Sequence, residues 1–488
     1  MPSQHDAPLM AALARCAARP QAAFYTPGHK RGQGISSWHR RVLGQKAFQA
    51  DLPELPELDN LFAPTTVIQQ AQTLAAEAFG AQQTWFLANG STCGLEAALL
   101  AVCNPGDKVI VPRNAHRSVI SGLVLGGAMP VYVMPEYRAD WGIPLAVSAS
   151  AIATTLAQHP DTRAVLVVSP TYEGICADID AIARCCHAHG VPLIVDEAHG
   201  PHFAFHRELP QPALALGADL VVQSAHKVLS ALTQAALLHR GSDRIDGARL
   251  AQALQLTQST SPSYLLLASL DAARHQMATD GPKLMSQTLA LAESAAAQLS
   301  TLSGIDVLTG QPLAQGQRWD QTRLTISVAG LGLTGWAADE FLHERGVTAE
   351  LPAAQTLTFI ISLGNTAADI DQLVAGCQQL CQLRSQTPTP QWSTLQFSPA
   401  ELSCSVAVPA QSPRTAFFAP TQSCPWEAAV GRLSADTICP YPPGIPTLIA
   451  GEVITATALA QLKHHQAAGA HLTGQSDPQL QQLRVLVD

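Results

Sequence analysis

The chain predicts an α/β protein built on a mostly parallel sheet with helices on both faces, and three observations carry that prediction. Between residues 84 and 240 seven short apolar runs occur: TWFLA, KVIVP, MPVYV, AVLVV, VPLIV, ADLVV and QAALLH. Several are apolar throughout, the pattern of strands covered on both sides rather than the alternation of a half-exposed sheet. Between them lie stretches such as STCGLEAALLAVC and DIDAIARCCHAHG, with apolar residues at helical spacing. Such strand–helix–strand alternation implies parallel pairing, because each crossover must return the chain to the same end of the sheet.

The remaining elements follow in order. MPSQHDAPLMAALARCAARP reads as a short amphipathic helix; it lacks a basic leader followed by an apolar stretch, so export is not expected. Residues 280–300 form an Ala/Leu/Gln helix pattern expected to join two domains. IDVLTG, RLTISVAG, GWAADEFLHERG, TLTFIISLG and AADIDQLVAGCQQLCQL then read strand, strand, helix, strand, helix. SQTPTPQW, residues 385–392, is linker-like, and the Pro-rich turn YPPGIP lies in the segment beyond it. The expected division is an N-terminal arm (1–60), a large domain (61–279), a small α/β domain (280–384), the linker and a C-terminal domain (393–488).

Composition excludes several classes. At 488 residues, with 47% apolar and 13% charged residues, the chain has material for two or three well-buried domains. A net charge of −9 leaves no basic excess for nucleic acid or an anionic membrane surface, and no apolar run is long enough to span a bilayer. Eleven cysteines, an odd number without a CxxC pair, read as reduced residues of a cytoplasmic protein.

Ligands of parallel sheets bind at the carboxyl ends of the strands, so the residues after each run matter most. TWFLA leads to NGSTCG and a helix; KVIVP to RNAHRS with His116; AVLVV to SPTYEG; VPLIV to DEAHG with Asp196; and ADLVV to QSAHK with Lys227. Each alone has an ordinary reading: NGSTCG as a capped helix start, Lys227 as a surface lysine, His116 as a satisfied polar residue. DEAH without any GxxxxGK[ST] does not make a helicase. His199, His202 and His206 read as capping or hydrogen-bonding loop histidines, with no matching ligand set for a metal. Together the set suits pyridoxal phosphate. Its phosphate needs a helix N-terminus with Ser/Thr hydroxyls, its ring nitrogen a carboxylate, and its aldehyde a lysine amine. Low polarity around Lys227 would favour the neutral, nucleophilic amine.

The motifs TPGHKRG (26–32), ELDNLFAP (57–64), NGSTCG, PRNAHRS, SPTYEG, VDEAHGPH, SAHK, STSPSYLLLASLD (259–271), GRLSAD (431–436) and YPPGIPTLIAGE (441–452) resemble those of the Orn/Lys/Arg decarboxylase family, in its short form without an N-terminal wing domain. The resemblance implies the pyridoxal-phosphate fold type I (aspartate aminotransferase-like): a large domain with a seven-stranded, mostly parallel sheet, a smaller α/β domain and a C-terminal domain. It implies that Lys227 carries the cofactor, Asp196 pairs with the ring nitrogen and His116 stacks on the ring. Ser91, Thr92, Ala198, Ser224 and His226 would hold the phosphate or border the ring. Thr260 would complete the phosphate cup of a neighbouring subunit, making the protein a homodimer with shared active sites on which higher oligomers can build. Lys227 or His226 would return a proton to Cα after carbon dioxide leaves.

The same resemblance ranks arginine first as substrate, then lysine, then ornithine. A cationic side chain needs acidic partners, and the candidates are Glu173, Glu350 and Asp436, with Asp59 and Glu452. Three positions depart from the family's common pattern: the order of NGSTCG, Phe62 in place of a histidine, and Asp436 in place of a glutamate. Aminotransfer or β-elimination on the same fold, and a catalytically silent regulatory homologue, are the rival readings.

Overall fold

The computed structural model describes residues 2–310, 313–383, 409–441 and 444–487. The expected linker, residues 385–392, and the first part of the segment after it lie outside the described residues. The chain divides into two compact units, one made of 1–101 with 196–285 and the other of 102–195 with 286–488. Among the described residues no helix is long and apolar enough to cross a membrane.

The seven runs become the seven strands of one sheet: β1 (Gln83–Leu87), β2 (Lys108–Pro112), β3 (Met129–Val133), β4 (Thr162–Val168), β5 (Leu193–Asp196), β6 (Leu220–Gln223) and β7 (Ala236–Arg240). Their order is β1-β7-β6-β5-β4-β2-β3. β2 pairs in parallel with β3 and β4, while β7 runs antiparallel to both β6 and β1, so β7 is the reversed strand. Every residue of β5 and β6 is buried, as strands covered on both faces require. From β3 the chain crosses back to β4 and then proceeds in the opposite direction. The topological switch therefore lies between β2 and β4, where ligands of such sheets bind.

In the first unit, β1 leads through Ala88 and Asn89 into the helix Gly90–Val102. That helix lies close to the sheet: a Cβ on Gly94 would meet Leu87 Cδ1 at 2.7 Å and Val222 Cγ1 at 3.0 Å. Its first residue, Gly90, has φ 78° and turns the chain sharply from strand to helix.

In the second unit a four-stranded antiparallel sheet contains β8 (Asp306–Val307), β9 (Arg323–Ser327), β10 (Leu351–Pro352) and β11 (Thr356–Ile360), ordered β8-β9-β11-β10. The helices Gly335–His343 and Ala367–Leu383 supply apolar side chains to its core, among them Ala338, Leu342, Leu373 and Leu380. Periodicity missed β10, because a two-residue strand is too short to show any. The helix expected over 280–300 runs from Tyr264 to Leu299 and carries Pro282 inside it. Further along, Thr421–Pro425 pairs with Gln482–Leu486 and Cys439–Tyr441 with His471–Thr473. Around them a core forms with Trp426, Ile438, Leu448, Leu459 and Leu462, the last two from the helix Ala456–Ala467.

Candidate active site

In the first unit the ends of β5 and β6 and the start of the helix Gly90–Val102 converge. Asp196 ends β5 at 5% exposure and its Oδ1 accepts the Ala198 N–H at 3.2 Å. Burial pushes its carboxyl up, while the charge of Lys227 and the Ala198 hydrogen bond pull it down. Ala198 in turn accepts the Ser224 N–H at 3.3 Å, which ties the loop after β5 to the loop after β6. Ser224 donates its hydroxyl to Ser91 Oγ at 2.8 Å, so two hydroxyls meet at the helix N-terminus. Thr92, one residue on, is exposed.

Lys227 sits in the short helix Ala225–Val228, half-buried, with its Nζ 2.9 Å from His199 Nε2. Sequence reasoning passed over His199 as a generic loop histidine. The only signal was its place three residues after Asp196, in the loop that follows the strand next to the one leading to Lys227. His226 Nδ1 lies 3.0 Å from the Ala235 carbonyl, and burial holds its pKa below the ordinary histidine value. Thr260 is exposed; its neighbour Ser259 donates its N–H to Asn89 Oδ1 at 3.4 Å, and Gln258 Oε1 accepts the Ala88 N–H at 2.9 Å. The segment 258–260 is thereby fastened to the loop that precedes the helix.

His116 belongs to the second unit. It caps the helix Arg117–Gly126, its Nδ1 accepting the Ser118 N–H at 3.2 Å and lying 2.8 Å from Ser118 Oγ. A Cβ on Gly444 (φ 82°) would stand 3.3 Å from His116 Nε2, and Arg117 donates its N–H to the Gly444 carbonyl at 3.1 Å. Ser118 on one side and the Pro-rich turn on the other fix the plane of this ring.

The five candidate carboxylates part company. Asp59 accepts backbone N–H groups of Thr65, Thr66 and Ile68 at the start of the helix Val67–Phe79. Burial opposes its ionisation, but those donors prevail and hold it below the usual range. Glu350 is exposed. Asp436, 4% exposed, is taken up by Arg484 Nε at 3.2 Å and Ser476 Oγ at 3.0 Å. Glu452 pairs with Arg113 Nη2 at 3.1 Å, with side chains 2% and 8% exposed. Arg113 also donates to the carbonyls of Pro446 and Thr447, which joins the end of β2 to the Pro-rich turn. Glu173 lines a cavity of about 420 Å³. The loop that carries it is clamped: a Cβ on Gly174 would lie 2.8 Å from both Arg323 Cβ and the Asp320 carbonyl.

The strand order with its reversed β7, and a rim bearing a buried aspartate and a lysine on neighbouring strands, define an α/β enzyme of fold type I. The chain matches the model of the Orn/Lys/Arg decarboxylase major domain over residues 7–369 and that of the Orn/Lys/Arg decarboxylase C-terminal domain over 396–478. It belongs to the Orn/Lys/Arg decarboxylase family. It is 37% identical to the arginine decarboxylase of Bacillus subtilis (strain 168) over 487 residues, 99% of this chain and 98% of that protein. With the arginine decarboxylase of Halalkalibacterium halodurans it shares 38% over 494 residues, 100% of this chain and 99% of that one. Its fold is similar to that of the Francisella novicida lysine decarboxylase, with a TM-score of 0.84 at 22% identity over 99% of this chain and 81% of that chain.

Proposed function

We propose that this decarboxylase acts on arginine, releasing carbon dioxide and agmatine, with pyridoxal 5′-phosphate as its cofactor. The full-length similarity to proteins named arginine decarboxylase supports the substrate. The observation that carries the chemistry is that buried Asp196 and Lys227 stand at the ends of neighbouring strands, near enough that the charge of Lys227 opposes part of the rise that burial imposes on the Asp196 carboxyl. Such a carboxylate, a neighbouring amine and a two-hydroxyl helix N-terminus are the donor set that a phosphorylated pyridine aldehyde requires.

Bound there, pyridoxal phosphate supplies an electron sink for the pair left on Cα as the carboxylate departs. Lys227 would supply the amine that holds the cofactor aldehyde. Asp196 keeps the ring nitrogen protonated, and Ala198 holds the Asp196 carboxylate in place. Ser91, Thr92, Ser224 and the first amides of the helix Gly90–Val102 hold the phosphate. His116 is the residue that, by the family resemblance, would stack on the ring. Lys227 or His226 delivers the proton that Cα takes up; His226, kept neutral by burial, is suited to pass rather than store it.

The active unit in this reading is a cytoplasmic homodimer in which Thr260 completes the partner's phosphate cup. The exposure of Thr260 supports this, as does the helix Ser37–Ala50, which has no buried residue and exposes Trp38, Val42 and Leu43. The same reading divides the chain into arm, large, small and C-terminal domains near residues 60, 280 and 393. The test is product analysis of purified holoprotein given arginine. Agmatine without any 2-oxo acid is the expected outcome; a 2-oxo acid in its place would make the reaction aminotransfer.

A further inference from the structure

The cavity in the second unit lies at the topological switch. Arg113 and Asn114 line it from the end of β2, Met134 to Tyr137 from the end of β3, and Tyr172 and Glu173 from beyond β4. Its wall runs into the surroundings of His116 at two points: Asn114, two residues before that histidine, and Ile445, next to the glycine that packs on its ring. Most of the remaining wall is apolar, with Ile143, Pro144, Leu351 and Pro352.

Set in that wall is a carboxylate with unmet capacity. Glu173 is 6% exposed, and its Oε2 has no hydrogen-bond partner. A buried carboxylate oxygen left bare is costly unless a cation or donor arrives to meet it. Burial pushes the Glu173 carboxyl up, and a backbone N–H and Thr171 meet only part of it. Of the basic side chains in the same wall, Arg113 is held by Glu452, and His465 is kept neutral, its pKa pushed down to about 4 by burial. Glu136, a second acid of the wall, already accepts from Gln317 at 3.1 Å. Trp336 and Tyr172 add aromatic groups to the lining, and Trp336 Nε1 also lacks a partner.

The geometry points to a binding site for an aliphatic chain ending in a cation, with Glu173 as its counter-charge. Under the decarboxylase reading, on which this rests, that chain is the side chain of the substrate. Apolar walls suit a polymethylene arm and the buried carboxylate suits its charged end. The aromatic groups favour a planar guanidinium, which stacks, over a compact ammonium. Glu173 is thus the residue that selects basic amino acids.

The test uses n-butylguanidine, which has the side chain's cation but neither α-amine nor α-carboxylate. Calorimetry on the holoprotein should show binding, and steady-state kinetics should show competition with arginine. Glu173→Gln should weaken that binding, and raise the KM for arginine, by about tenfold or more, with kcat within about threefold and the cofactor absorbance unchanged; Glu173→Asp should recover part of the loss. Unaltered binding to Glu173→Gln would overturn the assignment, as would binding that does not compete with arginine. If the wild-type protein released no carbon dioxide yet bound n-butylguanidine through Glu173, the decarboxylase reading would fall and the cation site would stand.

Discussion

At the scale of residues, the site depends on how few charged groups are asked to work without water. Asp196 is buried, which pushes its carboxyl up, and the charge of Lys227 works against that rise. Lys227→Ala should therefore remove both the attachment point and the charge. Turnover should fall by at least about 10³-fold, and borohydride should no longer fix cofactor to the chain; a covalent adduct surviving in that variant would show that another amine is used. Asp196→Asn should retain cofactor more weakly and lose on the order of 10²–10³ in kcat, read by absorbance and initial rates. Cys93 lies in the first turn of the helix Gly90–Val102, and burial pushes its thiol up to about 12, so it is a thiol at neutral pH. Iodoacetamide at neutral pH should leave Cys93 unmodified in peptide maps of the native protein.

At the scale of elements, a line of polar side chains crosses the sheet in the first unit. Glu197 Oε2 accepts from Gln223 Nε2 at 2.7 Å, Gln223 Oε1 lies 3.1 Å from His239 Nε2, and His239 Nδ1 lies 2.8 Å from Thr84 Oγ1. Burial pushes Glu197 up to about 8 and His239 down to about 3, so both are neutral near pH 7. The folded state keeps a proton on Glu197 that the unfolded chain releases above about 4.5. This contribution to stability declines as pH rises from there and is lost once pH passes about 8. Relative to wild type, Glu197→Gln should gain roughly 1.4 kcal/mol per pH unit across that window and nothing beyond it. Melting temperatures from pH 5 to 9 would check this; a constant difference would place Glu197 in its ionised form. The close approach of the helix Gly90–Val102 makes Gly94→Ala costly, by about 1–3 kcal/mol in unfolding free energy, with weaker phosphate retention as the helix start shifts.

At the scale of the whole molecule, the strands were legible because buried parallel strands are written as unbroken apolar runs. Asp196 and Lys227 were legible because those runs end abruptly in polar residues. What local reading could not reach was register. That His199 meets Lys227, or that Thr84, Gln223 and His239 form one chain of hydrogen bonds, depends on which strands lie side by side, and single polar letters in a run do not reveal it. The fates of the carboxylates were equally hidden. Asp436 and Glu452 are held by arginines distant in sequence, whereas Glu173 faces a cavity.

The most direct measurement is carbon dioxide release from carboxyl-labelled arginine, lysine and ornithine, each offered separately to the purified protein with pyridoxal phosphate, beside the Lys227→Ala variant. The account expects release from the wild-type protein, fastest with arginine, and none above background from the variant. Release from none of the three, or release undiminished in the variant, would contradict it.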